Sequence, residues 1–541
     1  MGMKAYKIVS GIFMVLWALF ILMEYWQKHP SYYYSFSNFH YIDQIMNLLV
    51  IGIIVCWAGL GIRKLKEPLK IVNGLLLYGI VLAIILGSIG IFYIKVLDRT
   101  ELNFMRIASV SWRMIYNSGA AYLIILGAYS IGSTISRYTG RFFESKDQLL
   151  IDLAVGIMGL VFVLFFLGAF SLLKWWTVAP ILLGFLLFNY KDSLGFLKAT
   201  LIQPIHVSKD INLVGLIGFY MILVTISLNF AQNITPFPRG YDALSFYVNI
   251  PSLISDHSGL IEGYSPHNWS LFMSLGLVLF GEIETVLILS FIGGILSLFA
   301  LFRLGRYWLN LDINYLMLGM AMLYITPTIV HQSSKEQKID LGLLFISLVI
   351  ILIFAYWIKN RFSAQGEEVE QTAKNPMLDP YIVLMGLLSG FAFGTKFTTL
   401  FLFFGIISGI WFAYNGKLGY LGITLVSLFA ILLARVDDMS GLRQYHLFAD
   451  SLKWILLVAG LGLLAFAFVK NRQKMLQSIK LSIIYVCCFT LPFLPWVSKN
   501  YLETKQFTVD ALLNGNNRLG PDLNLRDMHQ NYQQWKKDKN Q

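Results

Sequence analysis

The chain has 541 residues, of which 57% are hydrophobic and only 13% charged, and its mean hydropathy is +0.65. That balance excludes an ordinary soluble domain, because apolar runs recur along the whole length and are long enough to cross a hydrocarbon layer of roughly 30 Å. The formal net charge of +12 points to basic loops on the cytoplasmic side of a multispan protein rather than to nucleic acid, with a contribution to anionic lipid binding as the secondary reading.

Continuous apolarity predicts spans over residues 7–26, 43–62, 71–96, 117–136, 149–171, 174–190 and 212–230. The first follows Lys4 and Lys7 but has no small-residue cleavage site, so it reads as a retained helix. Basic residues then fall in alternate connections: Arg63, Lys64, Lys66 and Lys70; Arg137, Arg141 and Lys146; Lys191, Lys198 and Lys209. The positive-inside rule makes those connections cytoplasmic, although Arg99, Arg106 and Arg113 run against it in one of the others. By this parity the seventh span exits outward and delivers residues 234–270 to the extracytoplasmic side.

Residues 271–280 are too few to span and are expected to lie in, or dip into, the outer interface. Residues 285–302 cross inward to Arg303 and Arg306. Residues 313–330 return outward to a second polar loop, HQSSKEQKID at 331–340. Residues 341–358 lead to a hydrophilic cytoplasmic linker at 359–379. Further spans are expected at 381–395, 398–414, 418–434, 451–469 and 480–496, leaving a short polar tail from residue 500 outside. The fold class is an all-α polytopic membrane protein of about fifteen transmembrane helices, with no internal repeat. Cys56, Cys487 and Cys488 lie in apolar runs and give no disulfide framework and no metal spacing.

Residues 234–270 form a longer and more varied connection than two membrane helices need. They carry Arg239, Asp242, Asp256, two histidines and four prolines. Long loops held on a rigid scaffold are where chemistry concentrates. Asp242 and Asp340 both lie where one of the two outer loops meets a helix, so a bundle can fix their separation. The plain readings are a solvated loop acid for Asp242 and a helix-capping acid for Asp340. Tyr241, Phe246 and Tyr247 draw Asp242 toward the membrane surface, where a carboxylate without a partner costs on the order of a few kcal/mol.

GYDALSFYVNIPSLI and GYSPHNWSLFMSLGLVLFG, followed by an apolar helix ending in FRLGRYW, resemble the signature run of the GT-C superfamily. These are multispan glycosyltransferases that use polyprenyl-phosphate-linked sugars, among them protein mannosyltransferases and lipid A aminoarabinose transferases. The small-residue helix ending at Lys396 (GLLSGFAFGTKFTTLF) and PWVSKNY at 495–501 resemble later elements of the family. The resemblance covers residues 212–505, leaving 1–211 as an N-terminal helical region outside it and 506–541 as a short tail. Two features depart from the family: about six helices precede the loop, and Pro266-His267 stands where a double proline is usual.

The resemblance implies a GT-C-like helical core with extracytoplasmic catalytic loops. Asp242 matches the family's catalytic acid and Asp340 its second acid. Asp242 would take the acceptor proton as general base, and Asp340 would orient the acceptor or help bind a divalent cation. Arg239, Lys335, Lys338 and Lys396 are candidates to hold the departing lipid phosphate, with Tyr241 and His267 also substrate-binding. For each basic residue the alternative is an interfacial side chain reaching for water. No zinc-like ligand spacing is present, so no metal residues and no cofactor are assigned. The implied partners are a polyprenyl-phosphate-sugar donor, a lipid, glycan or protein acceptor, and membrane lipids. The expected location is a bacterial inner membrane with the site facing out. The competing readings are a transporter or flippase of lipid-linked sugars, which would carry its charges near the bilayer midplane, and a polysaccharide polymerase or ligase, for which residues 435–450 are the one late external loop.

Overall fold

A backbone crossing hydrocarbon must satisfy its own polar groups, and a helix does so locally. The computed structural model describes residues 73–95, 104–203, 211–234, 240, 242–261, 266–334, 336–362, 379–433 and 450–504, and every regular element among them is helical. The chain divides into two compact units, residues 1–64 with 87–102, and residues 65–86 with 103–541. The described part of the first is the helical stretch 87–95, the end of α1 (Gly74–Lys95). Everything that follows concerns the second.

Its N-terminal helices are α2 (Phe104–Thr139), α3 (Ser145–Ala169), α4 (Trp175–Phe188) and α5 (Tyr190–Leu197). Helices α2 and α3 approach until backbones touch: a methyl group on Gly132 would overlap the Asp152 carbonyl oxygen, and one on Gly156 would overlap that of Ala128. Small residues are what allow such contact between apolar helices. The core continues through α6 (Leu213–Asn233), α7 (Asn249–His257), the short pair α8 (Asn268–Met273) and α9 (Leu275–Phe280), and α10 (Ile283–Arg303). It then runs through α11 (Ile313–Ile325), α12 (Pro327–Ser334), α13 (Asp340–Phe362), α14 (Pro380–Phe393), α15 (Leu400–Leu433), α16 (Asp450–Lys470) and α17 (Arg472–Thr504).

Eight helices among the described residues are long and apolar enough to cross a membrane, nine if one bent pair counts as a span. An α-helical, multi-pass membrane architecture is therefore present, and the described residues do not confirm the expected total of about fifteen spans. The expected spans 7–26 and 43–62, the linker residues 363–378, the late loop residues 434–449 and the tail residues 505–541 lie outside the described residues.

Several expected elements take a different form. Residues 190–202 are not a plain loop after a crossing: α5 turns back along α2, so that Asp192 meets Ser133, Phe196 meets Tyr129 and Thr200 meets Tyr122. The contact partners fall in number as α5 rises, which is the signature of an antiparallel return. The expected span 313–330 breaks between α11 and α12 with a 65° bend. Thr326, the residue before Pro327 in the chain, lies outside helical geometry at ψ 135°, as residues that precede a proline favour. Helices α8 and α9 pack inside the bundle, where Trp269, Leu271, Phe272 and Leu275 are buried among neighbouring helices.

Helix α15 is a hairpin. Thr424 Oγ1 and Ser408 Oγ are 3.2 Å apart, although sixteen residues of straight helix would separate them by about 24 Å. Gly416, at φ 60° and ψ −150°, supplies the reversal with a conformation open to glycine. The two expected spans 398–414 and 418–434 are the arms of this hairpin. Finally, α17 continues to Thr504 and buries Asn500 completely, so residues 500–504 are helix rather than free tail.

Candidate active site

The polar residues gather at the end of the bundle where α13 begins. Asn229 and Asn233, one turn apart on α6, both reach α12: Asn229 Nδ2 donates to Ser333 Oγ (2.6 Å) and Asn233 Nδ2 donates to the Ser333 carbonyl oxygen (2.8 Å). These bonds form a buried polar floor. Just past the end of α12, Gln337 takes φ 41°, and the Lys338 N–H returns to the Gln332 carbonyl oxygen at 3.1 Å. A left-handed residue closed by such a long-range return bond is how many helices stop. Gln337 also donates through Nε2 to the Ser334 carbonyl oxygen at 2.6 Å, which fixes this turn although it lacks the usual glycine.

That turn aims three charges from the segment Glu336-Gln337-Lys338-Ile339-Asp340. Lys338 Nζ lies 2.5 Å from Asp242 Oδ2. Asp340, in the first turn of α13, receives Lys396 Nζ on Oδ1 at 2.5 Å. Its other oxygen, Oδ2, is enclosed and has no hydrogen-bond partner among the described residues. Glu336 points the same way and accepts the backbone N–H groups of Asp242 (2.8 Å) and Ala243 (3.3 Å) on Oε2. Its Oε1 lies 3.8 Å from His331 Nε2.

The partner side chains are positioned by packing. Asp242 opens a π-helical turn, Ala243–Tyr247, that leads into α7. Lys396 follows α14, whose end is pinned by Asn268. The Asn268 N–H donates to the Gly394 carbonyl oxygen (3.1 Å), its Nδ2 donates to that of Phe391 (2.8 Å), and its Oδ1 accepts Trp496 Nε1–H (2.7 Å). Gly342 lets the Trp269 ring lie directly on α13 just beyond Asp340; a methyl group there would overlap the indole. Lys499 ties α17 to the same end by donating to the Ile261 carbonyl oxygen at 2.8 Å.

Of the residues singled out from the sequence, Asp242, Lys338, Asp340 and Lys396 come together in two ion pairs. His267 is buried, with its ring 4.6 Å from that of Trp496. Asp340 is more than a helix cap, because its carboxylate bonds a lysine from another element. Arg239, Tyr241 and Lys335 lie outside the described residues. Glu336 and His331 escaped the sequence reading. The available signal was the alternation of charge at 336, 338 and 340 directly before an apolar run, since alternate residues of a non-helical segment share a side.

Chemically, the arrangement offers carboxylates to a hydroxyl and ammonium groups to an anion. Both ion pairs are partly open, with the lysine side chains 23% and 29% exposed and the aspartates 36% and 21%. Pairs of that kind are worth only about 0–1 kcal/mol, so a charged ligand can exchange into them at small cost. No three His, Cys, Asp or Glu side chains group as metal ligands among the described residues. No protein-family model matches the chain, and no curated protein and no solved structure matches it either.

Proposed function

We propose that this protein is an integral membrane glycosyltransferase of GT-C type, moving a sugar from a polyprenyl-phosphate donor to an acceptor hydroxyl. The site would face the extracytoplasmic side of a bacterial inner membrane. The observation that carries the reading is the double ion pair, in which two aspartates from different elements each face a lysine at one end of an apolar helical bundle. The resemblance of residues 212–505 to the family supports it, because the acids and lysines that meet are four of those that the resemblance singles out.

In this mechanism the donor phosphate draws Lys338 and Lys396 from their aspartates and gains their charge. Asp242, released, takes the proton of the acceptor hydroxyl as that oxygen attacks the anomeric carbon. The bond from that carbon to the phosphate oxygen breaks, and the polyprenyl phosphate leaves with the electron pair, its negative charge held by the two lysines. Asp340 Oδ2, which has no hydrogen-bond partner among the described residues, accepts a hydrogen bond from the incoming acceptor. Attack opposite the leaving group inverts the anomeric centre.

The test is transfer in proteoliposomes supplied with a panel of polyprenyl-phosphate hexoses and pentoses, comparing the native protein with Asp242→Asn. The expected result is transfer by the native protein and a loss of about a hundredfold or more in the variant, as for removal of a general base. Equal transfer by both would remove Asp242 from the mechanism. Movement of labelled lipid across the bilayer with no transfer would replace the enzyme by a flippase.

A further inference from the structure

We infer that Glu336 is a positioning residue that sets the catalytic loop by capping it from a distance. The helical turn beginning at Asp242 has no local side-chain cap, and the first N–H groups of such a turn have no partner within it. Glu336, 94 residues away in the chain, bonds the N–H groups of both Asp242 and Ala243 through one carboxylate oxygen. It is buried to 7% exposure, so water competes little for those bonds, and a negative group at a helical N-terminus is also favoured by the aligned peptide dipoles. Two residues further on, Lys338 holds the Asp242 side chain. Backbone and carboxylate of Asp242 are thus gripped by the same short segment, and that segment carries Asp340 on its end. The geometry of one acid relative to the other is set by Glu336 through the backbone, without Glu336 touching a substrate.

The part of this inference that concerns catalysis rests on the transferase reading; the cap does not. The experiment is hydrogen exchange by mass spectrometry on the full chain in lipid nanodiscs, with no substrate, for the native protein, Glu336→Ala and Glu336→Gln. Glutamine keeps a carbonyl oxygen able to accept both N–H groups, whereas alanine removes it. Peptides covering residues 242–247 are expected to exchange about tenfold faster in Glu336→Ala, from the loss of two net hydrogen bonds. In Glu336→Gln they should stay within about twofold of native. Peptides from α3 and α13 report whether either variant unfolds and should not change. Unchanged exchange in Glu336→Ala, or equally fast exchange in both variants, overturns the proposal. In the transfer assay Glu336→Ala should lower kcat more than it raises KM, and Glu336→Gln should restore kcat. Absence of transfer by the native protein would end the transferase reading while the exchange result still decides the cap.

Discussion

The two ends of α13 hold the same kinds of charged side chain in opposite settings. At the Phe362 end, Arg303 bonds Asp147, approaches Glu144 at 3.4 Å and stacks 3.8 Å over the Tyr307 ring. Tyr356 donates its hydroxyl to the second Asp147 oxygen at 2.7 Å. Asp147 is fully buried, and each of these residues lies on a helix or the turn that ends one. At the Asp340 end each ion pair joins an aspartate at a helix start to a lysine in a segment between helices, with lysine side chains that stay partly open. Burial makes a broken pair costly, because the remaining charge has no water; exposure makes it cheap. One end is therefore a lock among α3, α10 and α13, and the other is an exchangeable site.

The sharpest way to break this contrast is Arg303→Met. It strands a buried carboxylate and should destabilise the protein by about 3–5 kcal/mol, read as a fall in Tm in detergent. Combining it with Asp147→Leu should recover much of that loss, since an apolar pair of similar volume is often tolerated. A Tm unchanged by Arg303→Met would mean that the two ends do not differ as described.

Asp340→Asn probes the other side of the comparison. Stability should change by no more than about 1 kcal/mol, while transfer falls about a hundredfold. A large loss of stability would make Asp340 a structural residue like Asp147.

Asp192 stands between these cases. Desolvation pushes its carboxyl up, but bonds from Ser133 and Arg137 and the charges of Arg141 and Arg137 outweigh that and leave it below the ordinary value of 3.8. A lowered folded-state value favours the charged form on folding, so its contribution is fully present above pH 3.8 and is lost as pH falls through the lowered value. Unfolding measured against pH should therefore show Asp192→Asn less stable than native at neutral pH, with the gap closing in acid. A gap that widens in acid would reverse the sign.

The smallest effect is expected at Asn212, whose Oδ1 caps α6 by accepting the N–H groups of Val214 (2.9 Å) and Gly215 (3.2 Å). Asn212→Ala should cost about 1 kcal/mol and leave transfer unchanged, because it lies far along α6 from Asn233 and the site. A transfer defect there would tie the two ends of α6 together.

Much of the helical class was legible in the chain because hydropathy is a local sum: the runs that became α3, α10 and α13 are apolar whatever surrounds them. The two aspartates and two lysines were legible as candidates because they interrupt or border such runs. Their pairing was not, since Asp340 and Lys396 are 56 residues apart and only the packing of α14 against α13 brings them together. Glu336 looked like one more charge in a polar loop until the backbone of Asp242 supplied its partner. The return of α5 along α2 was hidden for the same reason: Asp192 and the lysines beside it read as an aqueous loop until Arg137 and Arg141 were found facing it. The sequence by itself determined which segments leave water, through composition; the tertiary structure decided which charges meet, because a hydrogen bond or ion pair depends on distances of a few ångströms that no local property of the chain encodes.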